Sequence, residues 1–266
     1  NIVCTITNTA YGSITINKNS IADSTQDFAF ISNAPGFSGF SLDDESGANT
    51  DSVPETVNIT NLSAGTYTFT EAQTAGWYLD QIDCSAAVTK DVANRTVSIT
   101  IAAGQSVSCT FVNRQLGQIQ VTKQTNPDND PTAFSIAAAP AEGVVSATSP
   151  TITDNNTVTY VVKHGTFAVN ETVPAGWTMA SNTCAGLTID GNTPLVNGVP
   201  TRTCTITNTK LATLTIIKDA IPNLDQDFAF LTSGTGLSGF SLDDDADGTL
   251  SNTRQFIDLL PGAYSV

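Results

Sequence analysis

The sequence predicts an all-β chain built as a row of β-sandwich domains, and three observations carry that expectation. One strand is written three times, as Gly12-Ser-Ile-Thr-Ile-Asn-Lys18, Gly117-Gln-Ile-Gln-Val-Thr-Lys123 and Ala212-Thr-Leu-Thr-Ile-Ile-Lys218. No segment holds an i, i+3, i+4 apolar pattern over several turns, whereas short alternating runs separated by Gly, Pro, Asn and Asp recur throughout. Charged residues make up only 13% of the 266, while 40% are hydrophobic, which is enough apolar material for packed cores. Repeats of roughly 90–100 residues are long enough for each to be its own sandwich rather than one turn of a solenoid.

Taken in order, residues 1–9 read as the closing strand of a preceding or neighbouring domain, because Cys4-Thr-Ile-Thr-Asn8-Thr is written again as Cys204-Thr-Ile-Thr-Asn208-Thr. Residues 10–114 read as the first complete sandwich. It opens on the Lys18 strand and continues through Asp27-Phe-Ala-Phe30, Phe40-Ser-Leu-Asp-Asp44, Thr66-Tyr-Thr-Phe-Thr-Glu71 and Ala75-Gly-Trp77. It closes on Val107-Ser-Cys-Thr-Phe-Val-Asn113, with a turn at Gly104-Gln105 before that strand. Residues 115–209 form the second sandwich, divergent in its middle but keeping Phe167-Ala-Val-Asn-Glu171, Pro174-Ala-Gly-Trp177 and the closing Cys204–Asn208 strand. Residues 210–266 read as the first part of a third. This third unit matches the first at an offset of 200 residues, pairing Lys18 with Lys218, Asp27 with Asp227 and Asp43 with Asp243. The complementary ends are read as a window from a longer repetitive chain, with strand addition to a neighbour as the other account.

Composition excludes several functions. A net charge of −15 and a pI near 4.1 argue against a nucleic-acid partner and against anionic membrane surfaces. No long apolar span suggests membrane insertion in this segment. Cys84 and Cys109 fall late in the first unit, and Cys184 and Cys204 fall at matching places in the second. They are read as two disulfides, hence an oxidising extracellular setting, with small reduced core residues as the alternative. Cys4 is left unpaired. A cysteine–histidine metal site is disfavoured, since no C-x-x-C occurs and His164 is the only histidine.

Strand alternation then assembles a chemical set. Ile14, Ile16 and Lys18 share a face; so do Tyr67, Phe69 and Glu71, and so do Cys109, Phe111 and Asn113. The second unit repeats this with Lys123, Glu171 and Asn208. Each full unit therefore points a Lys, a Glu and an Asn toward its core, each at the end of an apolar row. Desolvation lowers a lysine pKa and raises that of a glutamate, so such a pair can exchange a proton and become neutral. A neutral amine is a nucleophile, and a protonated Glu can polarise the Asn carbonyl and carry protons as ammonia leaves. The product is an internal Lys–Asn isopeptide bond. A hydrogen-bonded Lys–Glu–Asn cluster without a bond is the alternative.

This order of motifs, K … Y-x-(F/V)-x-E … A-G-W … (F/I)-x-N, resembles the collagen-adhesin B-type or SpaA-like pilin repeat domains of bacterial surface proteins, and the resemblance covers essentially the whole chain. Gly65-Thr-Tyr67 through Trp77 and Gly165-Thr-Phe167 through Trp177 carry it, with Trp where that family usually has Tyr. The resemblance implies an Ig-like/prealbumin-like sandwich. It also implies Lys18–Asn113 bonding promoted by Glu71 and Lys123–Asn208 bonding promoted by Glu171. Lys218 and Asn8 would belong to bonds completed outside this window. The disulfide beside each closing strand departs from the family pattern.

Asp243-Asp-Asp-Ala-Asp247-Gly248 fits the opening of a calcium loop at Asp243, Asp245 and Asp247, although position 12 is Arg254 where such a loop has Glu. A solvated acidic turn competes with that reading, and calcium is the one cofactor suggested. Sequons at Asn58, Asn61, Asn94, Asn155 and Asn170 admit attached glycans. No nucleophile–base set or phosphate loop rises above chance, so a turnover enzyme is not expected. The expected role is a structural repeat of an extracellular filament, pilus-like fibre or surface stalk, partnered by copies of itself or adjacent repeats. A calcium-dependent adhesin or carbohydrate-binding module is the runner-up.

Overall fold

The computed structural model describes residues 2–21, 24–45, 52–222, 225–245 and 248–266. Among the described residues the first domain holds nine strands: β1 (Gly12–Ile21), β2 (Ser24–Ser32), β3 (Gly39–Asp44), β4 (Thr56–Leu62), β5 (Gly65–Glu71), β6 (Trp77–Cys84), β7 (Thr89–Asp91), β8 (Thr96–Ile101) and β9 (Ser106–Gln115). They form two sheets, ordered β4-β1-β9-β6 and β3-β2-β5-β8-β7. The alternation read from the sequence is the alternation observed: Ile14, Ile16 and Lys18 face inward while Ser13, Thr15 and Asn17 are half-buried on the other face. The apolar rows of both sheets meet in one core that includes Ile14, Ile16, Phe28, Phe30, Phe69, Ile99 and Phe111.

The first and last strands of this domain lie side by side. β1 and β9 pair in parallel, with Lys18 opposite Phe111 and Ser20 opposite Asn113. Parallel neighbours cannot be joined by a tight hairpin, so the other seven strands form the connection between them. Gly12 is required at the start of β1, because a Cβ there would lie 2.6 Å from the Gln105 carbonyl oxygen. Cys84 and Cys109 sit opposite each other on β6 and β9 and are joined by a disulfide.

The second domain repeats the plan with β10 (Gly117–Asn126), β11 (Phe134–Ala139), β12 (Val144–Ala147), β13 (Thr151–Ile152), β14 (Thr157–Val162), β15 (Gly165–Thr172), β16 (Trp177–Asn182), β17 (Leu187–Ile189), β18 (Leu195–Val196) and β19 (Val199–Lys210). One sheet runs β12-β14-β10-β19-β16, with β18 pairing β19, and the other β13-β11-β15-β17. The first and last long strands, β10 and β19, are again neighbours. Cys184 and Cys204 form the second disulfide. The remaining strands, β20 (Ala212–Ile217), β21 (Phe228–Phe230), β22 (Phe240–Leu242) and β23 (Thr253–Leu259), pair as β20-β23 and β21-β22.

The head of the chain, read above as the closing strand of a preceding or neighbouring domain, stands apart from both sheets of the first domain. Residues 2–11 form no strand, Ile2, Val3 and Ile6 are exposed, and Cys4 is an exposed free thiol. Strand geometry is maintained by a ladder, and among the described residues no strand pairs with this segment.

Candidate functional site: a buried lysine, glutamate and asparagine

The two sheets of the first domain bring Lys18, Glu71 and Asn113 together from three strands, at 4%, 0% and 2% exposure. β1 supplies the lysine and β9 the asparagine, and Glu71 reaches them from β5 in the opposite sheet. Lys18 Nζ lies 3.9 Å from Glu71 Oε1. It donates to the backbone carbonyls of Asn19 at 2.9 Å and Phe111 at 3.2 Å. Asn113 Nδ2 donates to Glu71 Oε2 at 3.0 Å.

The second domain reproduces the set with a shift in pairing. Lys123 Nζ donates to Asn208 Oδ1 at 2.8 Å, to the Gln124 carbonyl at 2.8 Å and to the Ile206 carbonyl at 3.4 Å. Glu171 Oε1 is 3.7 Å from Nζ, and both side chains are fully buried. Here the amide oxygen of the asparagine faces the amine, whereas in the first domain its nitrogen faces the glutamate. Neutralising the glutamate converts that contact, because a protonated carboxyl donates to an amide oxygen.

Burial dominates the electrostatics. It pulls the Lys18 ammonium down to about 8, although Glu71 and Asp44 act to raise it. Burial likewise pushes the Glu71 carboxyl up, against the lowering effects of Lys18, Asn113 and Arg95. Lys123 is also lowered by burial, against Glu171 and Asp154. In the first domain the ammonium and the carboxylate are thus each pushed toward neutrality, which is the condition for proton exchange within the pair.

Two features of the site were not singled out in the sequence. The first is an aromatic floor. The lysine nitrogen sits 4.0 Å above the Phe28 ring in the first domain and 4.1 Å above Phe134 in the second, and Lys218 lies 4.0 Å above Phe228. Trp77 and Trp177 pack edge-on against these Phe rings at 5.5 and 5.1 Å, so the Ala-Gly-Trp turns buttress the rings on which the lysines sit. Gly76 and Gly176 take φ of +80° and +78°, which explains glycine in that turn. The second feature is an acidic clamp. Asp44 accepts the Ser20 N–H at 2.7 Å, Asp154 accepts the Thr125 N–H at 2.6 Å, and Asp244 accepts the Ala220 N–H. The 200-residue offset relates Asp44 to Asp244 and Phe28 to Phe228, a signal available in the sequence. Asp154 lies on a differently spaced loop and had none.

The remaining predicted residues are dispersed. Lys218 is half-buried and Asn8 is exposed, and neither belongs to an assembled set. Asp243 is buried, Asp245 is half-buried, and Asp247 lies outside the described residues. Among the described residues no group of three or more His, Cys, Asp or Glu is placed to hold a metal ion.

Each of the two complete units is a prealbumin-like sandwich. Models of the SpaA-type prealbumin-like fold domain match residues 14–115 and again residues 115–206, and the chain belongs to that family. Among solved structures, the Bacillus anthracis TIE protein is similar at 16% identity and a TM-score of 0.34, covering 96% of this chain and 44% of that one. The T-13 major pilin of Streptococcus pyogenes is similar at 13% identity and a TM-score of 0.28, covering 77% of this chain and 98% of that one. A streptococcal ancillary pilin is similar at 17% identity and a TM-score of 0.30, covering 75% and 63%. This chain spans less than half the length of the TIE chain. No curated protein sequence matches it.

Proposed function

We propose that the chain is a structural repeat segment of an extracellular fibre or surface stalk whose domains lock themselves with Lys–Asn isopeptide bonds. The observation that carries this reading is the adjacency of a buried lysine on the first strand and a buried asparagine on the last, with a buried glutamate reaching across from the other sheet, in both complete domains. Two disulfides suit an oxidising exterior. Among the described residues no helix is long and apolar enough to cross a membrane.

The chemistry balances without a co-reactant. A proton passes from the Lys18 ammonium to Glu71, leaving an amine and a carboxylic acid. The amine nitrogen attacks Asn113 Cγ while the acid donates a hydrogen bond to the amide oxygen, stabilising the charge that develops there. The acid then gives its proton to Nδ2 and takes the proton of the attacking nitrogen in its place. The Cγ–Nδ2 bond then breaks, ammonia leaves, and an Nζ–Cγ amide remains with Glu71 protonated again. Glu171 performs the same steps between Lys123 and Asn208. Each domain reacts once, on itself.

The bond would sit where load passes. Tension entering on β1 and leaving on β9 shears their parallel ladder directly, and a covalent link at Lys18–Asn113 would carry that load past the other seven strands. The intact mass of the reduced chain tests the reading. A deficit of one ammonia per complete domain is expected, with Lys18–Asn113 and Lys123–Asn208 recovered as cross-linked peptides. A mass equal to the plain sequence refutes the bonds.

A further inference from the structure

Each buried lysine is tied to an aspartate through a single peptide group. In the first domain the peptide joining Asn19 to Ser20 accepts from Lys18 Nζ at its carbonyl, 2.9 Å, and donates from its N–H to Asp44 Oδ2, 2.7 Å. In the second, the peptide joining Gln124 to Thr125 accepts from Lys123 Nζ at 2.8 Å and donates to Asp154 Oδ1 at 2.6 Å. The two aspartates stand at equivalent places in the two sandwiches, since Phe28 pairs with Leu42, just before Asp44, and Phe134 pairs with Ile152, just before Asp154. Asp44 ends β3, whereas Asp154 lies in the loop between β13 and β14 and is itself held by the Asn129 N–H at 2.6 Å and Asn155 Nδ2 at 3.0 Å. Asp244 takes the corresponding N–H of Ala220 in the third unit. The same contact recurs although the connection from β3 to β4 is much longer than that from β13 to β14, which ties it to the lysine-bearing strand rather than to one loop conformation.

The consequence is directional. A neutral amine has two N–H donors and one lone pair. Lys123 directs two N–H groups at the Gln124 and Ile206 carbonyls, and its third N–H points at the Asn208 carbonyl oxygen, 2.8 Å away and bonded to the carbon that would be attacked. When the third proton leaves, the lone pair occupies that position. Lys18 has the same two carbonyl partners, Asn19 and Phe111. A carboxylate bonded to the far side of the Asn19 or Gln124 peptide polarises it and strengthens its carbonyl as an acceptor. The same bond fixes the peptide plane, and so the direction from which that carbonyl holds the amine.

Resting on the isopeptide reading above, we propose that Asp44 and Asp154 are positioning residues of the cross-linking reaction. Each clamps the peptide group that holds one lysine N–H, so that the nitrogen lone pair faces the asparagine carbonyl carbon. Neither aspartate touches the reacting atoms, and neither gains or loses a proton in the reaction.

The test uses the full chain, collected unfolded, refolded with its disulfides re-formed, and quenched at intervals for peptide mapping. The two cross-links are followed separately, and rates are expressed per folded molecule as judged by hydrogen exchange. Wild type is expected to form both. Asp44→Ala is expected to slow the Lys18–Asn113 bond about 10- to 100-fold, the scale of a misplaced nucleophile, and to leave Lys123–Asn208 unchanged. Asp154→Ala should do the reverse. Asp44→Asn keeps an acceptor for the Ser20 N–H without the charge and should fall between Asp44→Ala and wild type. A merely structural role would lower the folded fraction without changing the rate per folded molecule. Asp44→Ala cross-linking at the wild-type rate overturns the proposal, and so does Asp44→Asn at that rate if Asp44→Ala does not fold. A wild-type chain forming neither bond refutes the isopeptide reading itself, a result distinct from both.

Discussion

Glu71→Gln and Lys18→Met separate what the cross-link contributes from what a buried charge costs. Neither chain can form the first-domain bond, since one lacks the proton carrier and the other the nucleophile. The Lys18–Asn113 link closes a loop of about 95 residues, and on the chain-entropy account a cross-link of that span stabilises by about 4–5 kcal/mol. Lys18→Met loses this contribution but leaves an unbranched apolar side chain of similar length over the Phe28 ring. Glu71→Gln loses the same contribution and also strands an ammonium at 4% exposure without its anion. Breaking a buried pair in that way costs about 3–5 kcal/mol more. For a domain of this size 1 kcal/mol moves the midpoint by roughly 4–8 °C, so Lys18→Met should lower the first-domain transition by about 20 °C or more, with Glu71→Gln lower still. Differential scanning calorimetry on the full chain, paired with intact mass, reads both effects, and the second domain serves as an internal reference. The reasoning is refuted if Glu71→Gln still loses the first-domain ammonia, or if Lys18→Met melts no earlier than wild type.

Three further outcomes follow from the same geometry. The reactive state, neutral amine with protonated acid, holds as many protons as the ion pair. Cross-linking in the first domain should therefore be level between the raised Glu71 value and about 8, then fall about tenfold per pH unit above it, as quench-flow mapping at several pH values would show. In an Asn113→Ala chain, which keeps Lys18 and Glu71 but cannot bond, the unfolded lysine holds its proton up to 10.5 and the folded one releases it near 8. The unfolded state then binds more protons across that window, so stability should rise with pH from about 8 to 10.5, by about 3 kcal/mol at most, in denaturant titrations. Replacing Cys84 and Cys109 together by serine opens a loop with a sequence separation of 25 and should cost about 3 kcal/mol. That variant should still lose its ammonia, and a bond that vanishes with the disulfide would show that the Lys18 site needs the disulfide to assemble.

Much of this protein was legible in the chain because β-structure encodes its faces with a period of two. The alternation in Gly12–Lys18 placed Lys18 inward before any partner was known, and the same rule applied to Tyr67–Glu71 and Cys109–Asn113 named the other two members. Repetition did the rest, since a lysine, a glutamate and an asparagine at the ends of apolar rows recur in two successive units. Periodicity says which face a side chain takes, but not which strands become neighbours. The parallel pairing of β1 with β9, with Ser20 opposite Asn113, and the approach of Glu71 from the opposite sheet exist only once both sheets have formed. The head of the chain shows the same limit. Cys4-Thr-Ile-Thr-Asn8 has the alternation of a strand, yet it forms none, because a strand is a relation between two segments and no sequence pattern supplies the second. Tertiary structure alone decided the aspartate clamp in the second domain. Asp154 reaches the lysine-bearing strand from a loop whose spacing differs from that of Asp44, and a hydrogen bond requires an oxygen at the right point in space, whatever route the backbone takes to deliver it.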